Sequence, residues 1–165
     1  MLSKLQKRNS EGFTIIEVMI VLAIAALILL IVLLAVPALQ RNSRNTTIKN
    51  DGASVAGGIN TSESDNNGSL PTNVTGTGTV TITNTNNSTI RVNGGTTVVF
   101  RPTANAALTC AGSGAGCLAT STIAVWQGHT CPVAQGGSGQ TSARAFALFY
   151  DVETSGNPTL QCIDT

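Results

Sequence analysis

Hydrophobic and polar positions divide this chain into three stretches, each with its own period. Residues 18–39 are apolar without a break, 22 in succession. At about 1.5 Å rise per residue a helix of that length reaches ~33 Å, enough to cross the hydrocarbon core of a bilayer. The pattern predicts insertion into a membrane. Residues 41–62 are polar, but Ile48, Val55, Ala56 and Ile59 recur at offsets of 7, 8 and 11 and share one helical face. They predict that the first helix continues as an amphipathic stretch whose stripe lies on a globular domain. A helix from 13 to about 62 would be ~75 Å long. Gly52, Gly57 and Gly58 each weaken it by up to ~1 kcal/mol, with fraying expected near Gly57, and Ser64-Asp65-Asn66-Asn67-Gly68 with Pro71 ends it.

Beyond Pro71 the period falls to two. Residues 79–83 (Thr-Val-Thr-Ile-Thr) alternate, and so do 89–92 before an Asn93-Gly94-Gly95 turn into 96–100, which predicts a hairpin. Further strands are expected at 122–127, 144–153 and 159–163, with residues 154–158 as the turn between the last two. The predicted fold class is α+β: a long N-terminal helix, transmembrane in its first half and amphipathic in its second, packed on a C-terminal antiparallel β-sheet.

Composition narrows the sheet domain. Besides Phe13, the aromatic residues are Phe100, Trp126, Phe146, Phe149 and Tyr150. The core must therefore rest on Val, Ile, Leu and Ala, with disulfides as staples. All four cysteines, Cys110, Cys117, Cys131 and Cys162, follow the apolar run in a Thr/Ser/Asn/Gly-rich sequence. Such usage suits an oxidising, extracytoplasmic compartment. Of the three pairings open to four cysteines, Cys110 with Cys117 and Cys131 with Cys162 is favoured, because Cys110 and Cys117 bracket a flexible Ala-Gly-Ser-Gly-Ala-Gly stretch. Charge alone does not orient the span: Lys4, Lys7 and Arg8 precede it and Arg41, Arg44 and Lys49 follow.

One carboxylate, Glu17, stands at the entry of the apolar run. An acidic residue there is costly in lipid, so it needs a partner. The leader's cations lie nine or more positions upstream. A new amine at Phe13, created by a cut after Gly12, would lie four residues before Glu17 on the same helical face. A cleaved secretory signal fits this stretch poorly, because 22 apolar residues exceed the usual core of about 7–15 and Glu17 interrupts their entry.

Gly12, Phe13, Thr14, Ile15, Ile16 and Glu17, with the apolar run behind them, resemble the start of type IV pilins and their relatives. The resemblance is specific over residues 4–40. It implies that Gly12 precedes the cut made by a membrane aspartyl prepilin peptidase, that Phe13 becomes the N-methylated terminus, and that Glu17 docks against the Phe13 amine of a neighbouring subunit. Assembly would use a platform protein and a cytoplasmic ATPase, moving the subunit from the inner membrane into an extracellular filament of a bacterium. The chain would then consist of a cleaved leader (1–12), a transmembrane or filament-core helix (13–39), an amphipathic continuation and loop (40–70) and a disulfide-bonded sheet head (71–165). Many relatives carry a Gly in mid-helix and a Pro 21 residues after the first mature one. Here Ala26 and Leu34 stand near those places and the nearby proline is Pro37, which shifts the expected bend about three residues along.

Other chemistries lack their residues. With one histidine, His129, and no glycine-rich loop ending in Lys, neither nucleophilic catalysis nor phosphate cradling is equipped, so no catalytic residue is assigned. His129-Thr130-Cys131 lacks the paired spacing of a metal site, so neither metal nor other cofactor is expected. Asp151 and Glu153 read as a solvated strand edge rather than an acid–base pair, and Arg91, Arg101 and Arg144 as ordinary surface cations. Without the leader, six Lys/Arg stand against seven Asp/Glu, a net charge of −1 that gives no footprint for nucleic acid as the main ligand. Asn45, Asn60, Asn73 and Asn87 open Asn-x-Ser/Thr triplets, which arise readily in so Asn- and Thr-rich a chain. The function expected is a pilin of a surface filament for adhesion and twitching motility. The alternatives are a pseudopilin of a type II secretion or DNA-uptake system, and a membrane-anchored surface domain that never polymerises.

Overall fold

The structure is a computed structural model that describes residues 12–102, 118–131, 140–156 and 158–165. One helix, α1 (Ile15–Asp65), is followed by seven strands: β1 (Asn73–Thr77), β2 (Thr79–Thr83), β3 (Ser88–Arg91), β4 (Thr97–Arg101), β5 (Thr122–His129), β6 (Thr141–Val152) and β7 (Thr159–Asp164). The chain divides into two compact units, one ending at Leu39 and the other beginning at Gln40. α1 runs through Pro37 without a break in helical structure. It also continues past Gly57 to Asp65, so the fraying expected there is not observed.

The end of the helix follows from its polar tail. Asn67 takes a left-handed φ of 53°, and the Gly68 N–H returns to the Glu63 carbonyl at 2.8 Å, closing the last turn as a C-cap. Buried Asn66 then ties the helix end to the loop at residue 86: its Nδ2 donates to the Ser62 carbonyl at 2.7 Å, and its Oδ1 accepts the Asn86 N–H at 3.0 Å.

In the second unit the strands form one sheet in the order β3-β2-β1-β4-β5-β6-β7, antiparallel except for the β4–β5 pair. The topology corrects one sequence expectation and refines another. The first is the hairpin between residues 89–92 and 96–100: β3 is an edge strand paired with β2, whereas β4 pairs with β1 through Gly76↔Val98 and Thr77↔Thr97. Asn93-Gly94-Gly95 is therefore part of a crossover that carries the chain past β2 and β1. The second is the antiparallel sheet, which holds for every strand pair but β4–β5, where Thr97↔Thr122 to Arg101↔Trp126 run in parallel register. Strand β1 has a single large apolar residue, Val74, and its pattern did not mark it as a strand. It nevertheless fills the place between β2 and β4 that the hairpin reading left out.

The main core lies between the second half of α1 and one face of the sheet. Ile48, Val55, Ala56 and Ile59, the stripe read from the sequence, are buried against Val74, Val80, Ile82, Val98, Ile123, Val125, Phe146, Leu148 and Tyr150. A smaller cluster of Ala124, Trp126, Ala147 and Phe149 occupies the opposite face, with Leu118, Cys131, Leu160 and Cys162 packed on it. Burial on both faces explains why β5 and β6 read as near-continuous apolar runs rather than as alternating ones. Trp126 and Phe149 meet edge to face at 5.4 Å within this second cluster. A disulfide joins Cys131 to Cys162 across 31 residues, with Cα atoms 5.8 Å apart. It fastens the end of the β5 segment to β7 and, for a loop of that length, contributes ~3–4 kcal/mol on the chain-entropy account. Cys110 and Cys117 lie outside the described residues.

Candidate functional site

The residues singled out at the head of the apolar run sit at a sharply defined helix start. Gly12, Phe13 and Thr14 have no regular structure, Phe13 is 90% exposed, and α1 begins at Ile15. Thr14 is the N-cap. Its Oγ1 accepts the Glu17 N–H at 3.3 Å, while the Glu17 carboxylate reaches back to accept the Thr14 N–H at 2.8 Å and the Thr14 hydroxyl at 2.7 Å, both on Oε2. This is a reciprocal capping box, Thr-x-x-Glu, which satisfies two backbone donors that a helix start otherwise leaves open. A partner for Glu17 is thus present within the same chain, three residues away. Its signal in the sequence is a Thr followed three positions later by Glu at the edge of an apolar run, a pairing of hydrogen bonds that needs no countercharge. Phe13 precedes the helix in this form of the chain, so it does not share a helical face with Glu17.

Behind the cap, α1 presents apolar side chains all round. Every large hydrophobic residue from Ile15 to Leu34 is exposed, Leu33 and Leu34 at 71% and 73%. Neither a polar face nor a covering element accompanies them among the described residues of this unit. The helix is long and apolar enough to cross a membrane. A surface of this kind belongs in lipid or against other apolar helices.

Residues 7–33 match the family described as the prokaryotic N-terminal methylation motif. The chain carries the type IV prepilin signature. No curated protein and no solved structure matches it. The motif spans Lys7, Arg8, the Gly12–Phe13 bond, Glu17 and most of the apolar run, and together with the helix it indicates membrane anchoring. The long helix and its mostly antiparallel sheet form a pilin-like α+β architecture. Proteins of this motif are structural rather than enzymatic.

The remaining candidates are absorbed by the fold. Glu153 takes a two-pronged contact from the Arg44 guanidinium, Nε to Oε1 at 2.9 Å and Nη2 to Oε2 at 2.7 Å, and its backbone exchanges two bonds with the Asn45 amide at 2.7 and 2.8 Å. The Arg44 hydrogen bonds, reinforced by the nearby charges of Arg44 and Arg41, hold the Glu153 carboxyl below the usual carboxylate range. Asp151 accepts the Leu118 N–H at 3.1 Å. The two carboxylates line one cavity, but there Glu153 is taken up by Arg44 and Asp151 by the Leu118 N–H, so that they anchor the helix and the loop before β5. Arg144 donates to Glu63 at 2.9 Å and to the Gly68 carbonyl at 2.6 Å, bracing the helix end. His129 meets the edge of Trp126 at 6.0 Å. Cys131, Cys162 and Asp164 converge, but both sulfurs are committed to the disulfide and offer no thiolate to a metal.

One buried structural carboxylate carries no signal in the sequence. Asp51 is buried on α1, where Oδ2 accepts the Thr96 hydroxyl at 2.5 Å and Oδ1 accepts the Asn93 N–H at 3.1 Å. It pins the crossover turn that the hairpin expectation misplaced.

Proposed function

We propose that this chain is the structural subunit of a type IV pilus, inserted in the cytoplasmic membrane and then assembled into a helical surface filament for adhesion and twitching motility. The observation that carries the reading is the apolar, uncovered first half of α1, with a single carboxylate in its first turn, inside and just beyond the matched methylation motif. In this reading a membrane aspartyl prepilin peptidase cuts after Gly12, Phe13 becomes the methylated terminus, and the apolar surface of α1 is covered by other copies of the chain. Glu17, buried in that filament core, docks against the Phe13 amine of a neighbour. A subunit out of register would leave the carboxylate unpaired in a water-poor core, and that penalty selects the register. A platform protein and a cytoplasmic ATPase supply the work of extraction. The head beginning near residue 71 faces the surroundings, where its disulfides survive oxidising conditions.

Intact-mass measurement of the chain in filaments sheared from cells tests this. A filament preparation dominated by a species that starts at Phe13 and carries one added methyl group is the expected result. A species that retains residues 1–12 in those filaments overturns it. Trace amounts of the processed chain, with a secretion defect on deletion, would assign it to a pseudopilus instead.

A further inference from the structure

Thr14 has a part in this helix start that the methylation motif does not assign. Resting on the reading above, in which Gly12–Phe13 is the processed bond, we propose that Thr14 is a positioning residue for that hydrolysis: its hydroxyl fixes the first turn of α1 at Ile15 and keeps the scissile bond outside the helix.

The three contacts between Thr14 and Glu17, at 2.8, 2.7 and 3.3 Å, set the helix boundary from both sides. An N-cap residue is itself non-helical, so the residues before it leave the helix axis. Gly12 and Phe13 accordingly stand exposed and without regular structure. Hydrolysis adds one water across the bond: its hydroxyl goes to the Gly12 carbonyl carbon, which becomes a carboxyl group, the C–N bond breaks, and the proton goes to the Phe13 nitrogen, which leaves as an amine. Attack requires access to the face of the Gly12 carbonyl. Were α1 to begin one turn earlier, that carbonyl would accept the Ile16 N–H in the i to i+4 pattern of the helix, and the backbone around it would be wound shut.

The sequence makes that alternative concrete. Upstream of Thr14 the nearest residues of N-cap type are Gly12, which caps about as well as Thr and would then give its carbonyl to the Ile16 N–H, and Ser10, which caps better. With Ser10 as cap the helix would start at Glu11 and enclose the Gly12–Phe13 bond in its first turn. The Thr14 hydroxyl tips the choice toward the open form, and at the edge of a bilayer it does so where water is too scarce to satisfy bare N–H groups. Glu17 supports the box from the other side. Its own backbone N–H still reaches the Thr14 hydroxyl when the side chain is shortened, so cleavage depends on residue 14 more than on residue 17.

The test uses the full-length chain in membrane vesicles with a prepilin peptidase, comparing wild type, Thr14→Ser and Thr14→Val by mass. Valine keeps the branched shape and loses the hydroxyl; serine does the reverse. Loss of residues 1–12 should proceed in the Ser variant at close to the wild-type rate and slow about fivefold in the Val variant, the population shift that a lost cap produces. Amide exchange at residue 17 should be slow in wild type and Ser and fast in Val, while Trp126 fluorescence stays unchanged in all three. Equal cleavage of the three chains overturns the inference, and so does a slow Ser variant beside a normal Val variant. A wild-type chain that is not cut between Gly12 and Phe13 overturns the pilus reading itself and this inference with it.

Discussion

Gly58 of α1 stands directly against Ile90 of β3: a Cβ added there would meet Ile90 Cγ2 at 2.8 Å and Ile82 Cδ1 at 3.0 Å. The helix lies on the sheet as closely as a missing side chain allows. Gly58→Ala must push apart Ile90 and the fully buried Ile82, at an expected cost of ~1–3 kcal/mol. Its neighbour Gly57 has nothing within 4 Å, so Gly57→Ala should stabilise by about 0.5–1 kcal/mol through helix propensity alone. Thermal unfolding of the full chain in detergent, followed by Trp126 fluorescence, should shift in opposite directions for the two variants. Shifts of the same sign would refute the packing account.

Asp51 supports a prediction of the same kind. Asp51→Ala strands the buried Thr96 hydroxyl and the Asn93 N–H, at an expected cost of ~2–3 kcal/mol. Asp51→Asn should cost about 1 kcal/mol, because its carbonyl oxygen can still take the Asn93 N–H while its amide donates to the Thr96 oxygen. Urea midpoints of the two variants check the order. An Asn variant as damaged as the Ala variant would mean that the charge, rather than hydrogen-bond satisfaction, holds the crossover turn.

These two positions mark the limit of what the chain discloses before it folds. The apolar run, the stripe Ile48, Val55, Ala56 and Ile59, and the alternation in β2 are local patterns, and each survives in the structure. Gly52 and Gly58 looked like weak points because propensity is local, whereas their neighbours Tyr150, Ile82 and Ile90 are 24 or more positions away. Asp51 looked like one more polar residue in a polar stretch for the same reason. The hairpin failed on a non-local competition. Asn93-Gly94-Gly95 permits a turn, but β1 pairs with β2 through five residues around Gly78, whose φ of +70° suits a tight reversal, and leaves its other edge to β4. With only Val74 as a large apolar residue, β1 gave no alternation from which that competition could be anticipated.

The contact between Arg44 and Glu153 predicts a pH dependence of the head. The Glu153 carboxyl is held below its ordinary value, chiefly by the Arg44 hydrogen bonds, so the unfolded chain takes up a proton first as pH falls. The contribution is complete above the unfolded value, about 4.3, and is lost as pH drops through the lower folded value. Both side chains are partly exposed, which keeps the effect modest and sensitive to salt. Glu153→Gln should flatten the stability profile in that acidic window and leave it nearly parallel to wild type near neutrality. A profile that keeps its full acid slope in the variant would assign the slope to other carboxylates.

Substitution of Glu17 separates the role the structure shows from the one proposed. In the structure its carboxylate closes the capping box with Thr14; in the filament reading it meets the Phe13 amine of a neighbour. Glutamine can accept the Thr14 N–H as glutamate does, so Glu17→Gln preserves the cap and removes only the charge. Glu17→Ala removes both the charge and the reciprocal bond but leaves the Thr14 hydroxyl on the residue 17 N–H. If pairing with the amine drives assembly, both variants should be processed at Gly12–Phe13 and neither should form filaments, because the buried amine then lacks its countercharge. If the box itself were what assembly requires, Gln would assemble and Ala would not. Filament yield from sheared cells, read beside the mass of the membrane-bound chain, distinguishes the two outcomes. A chain that functions at its surface with either substitution would instead be the anchored, non-polymerising protein.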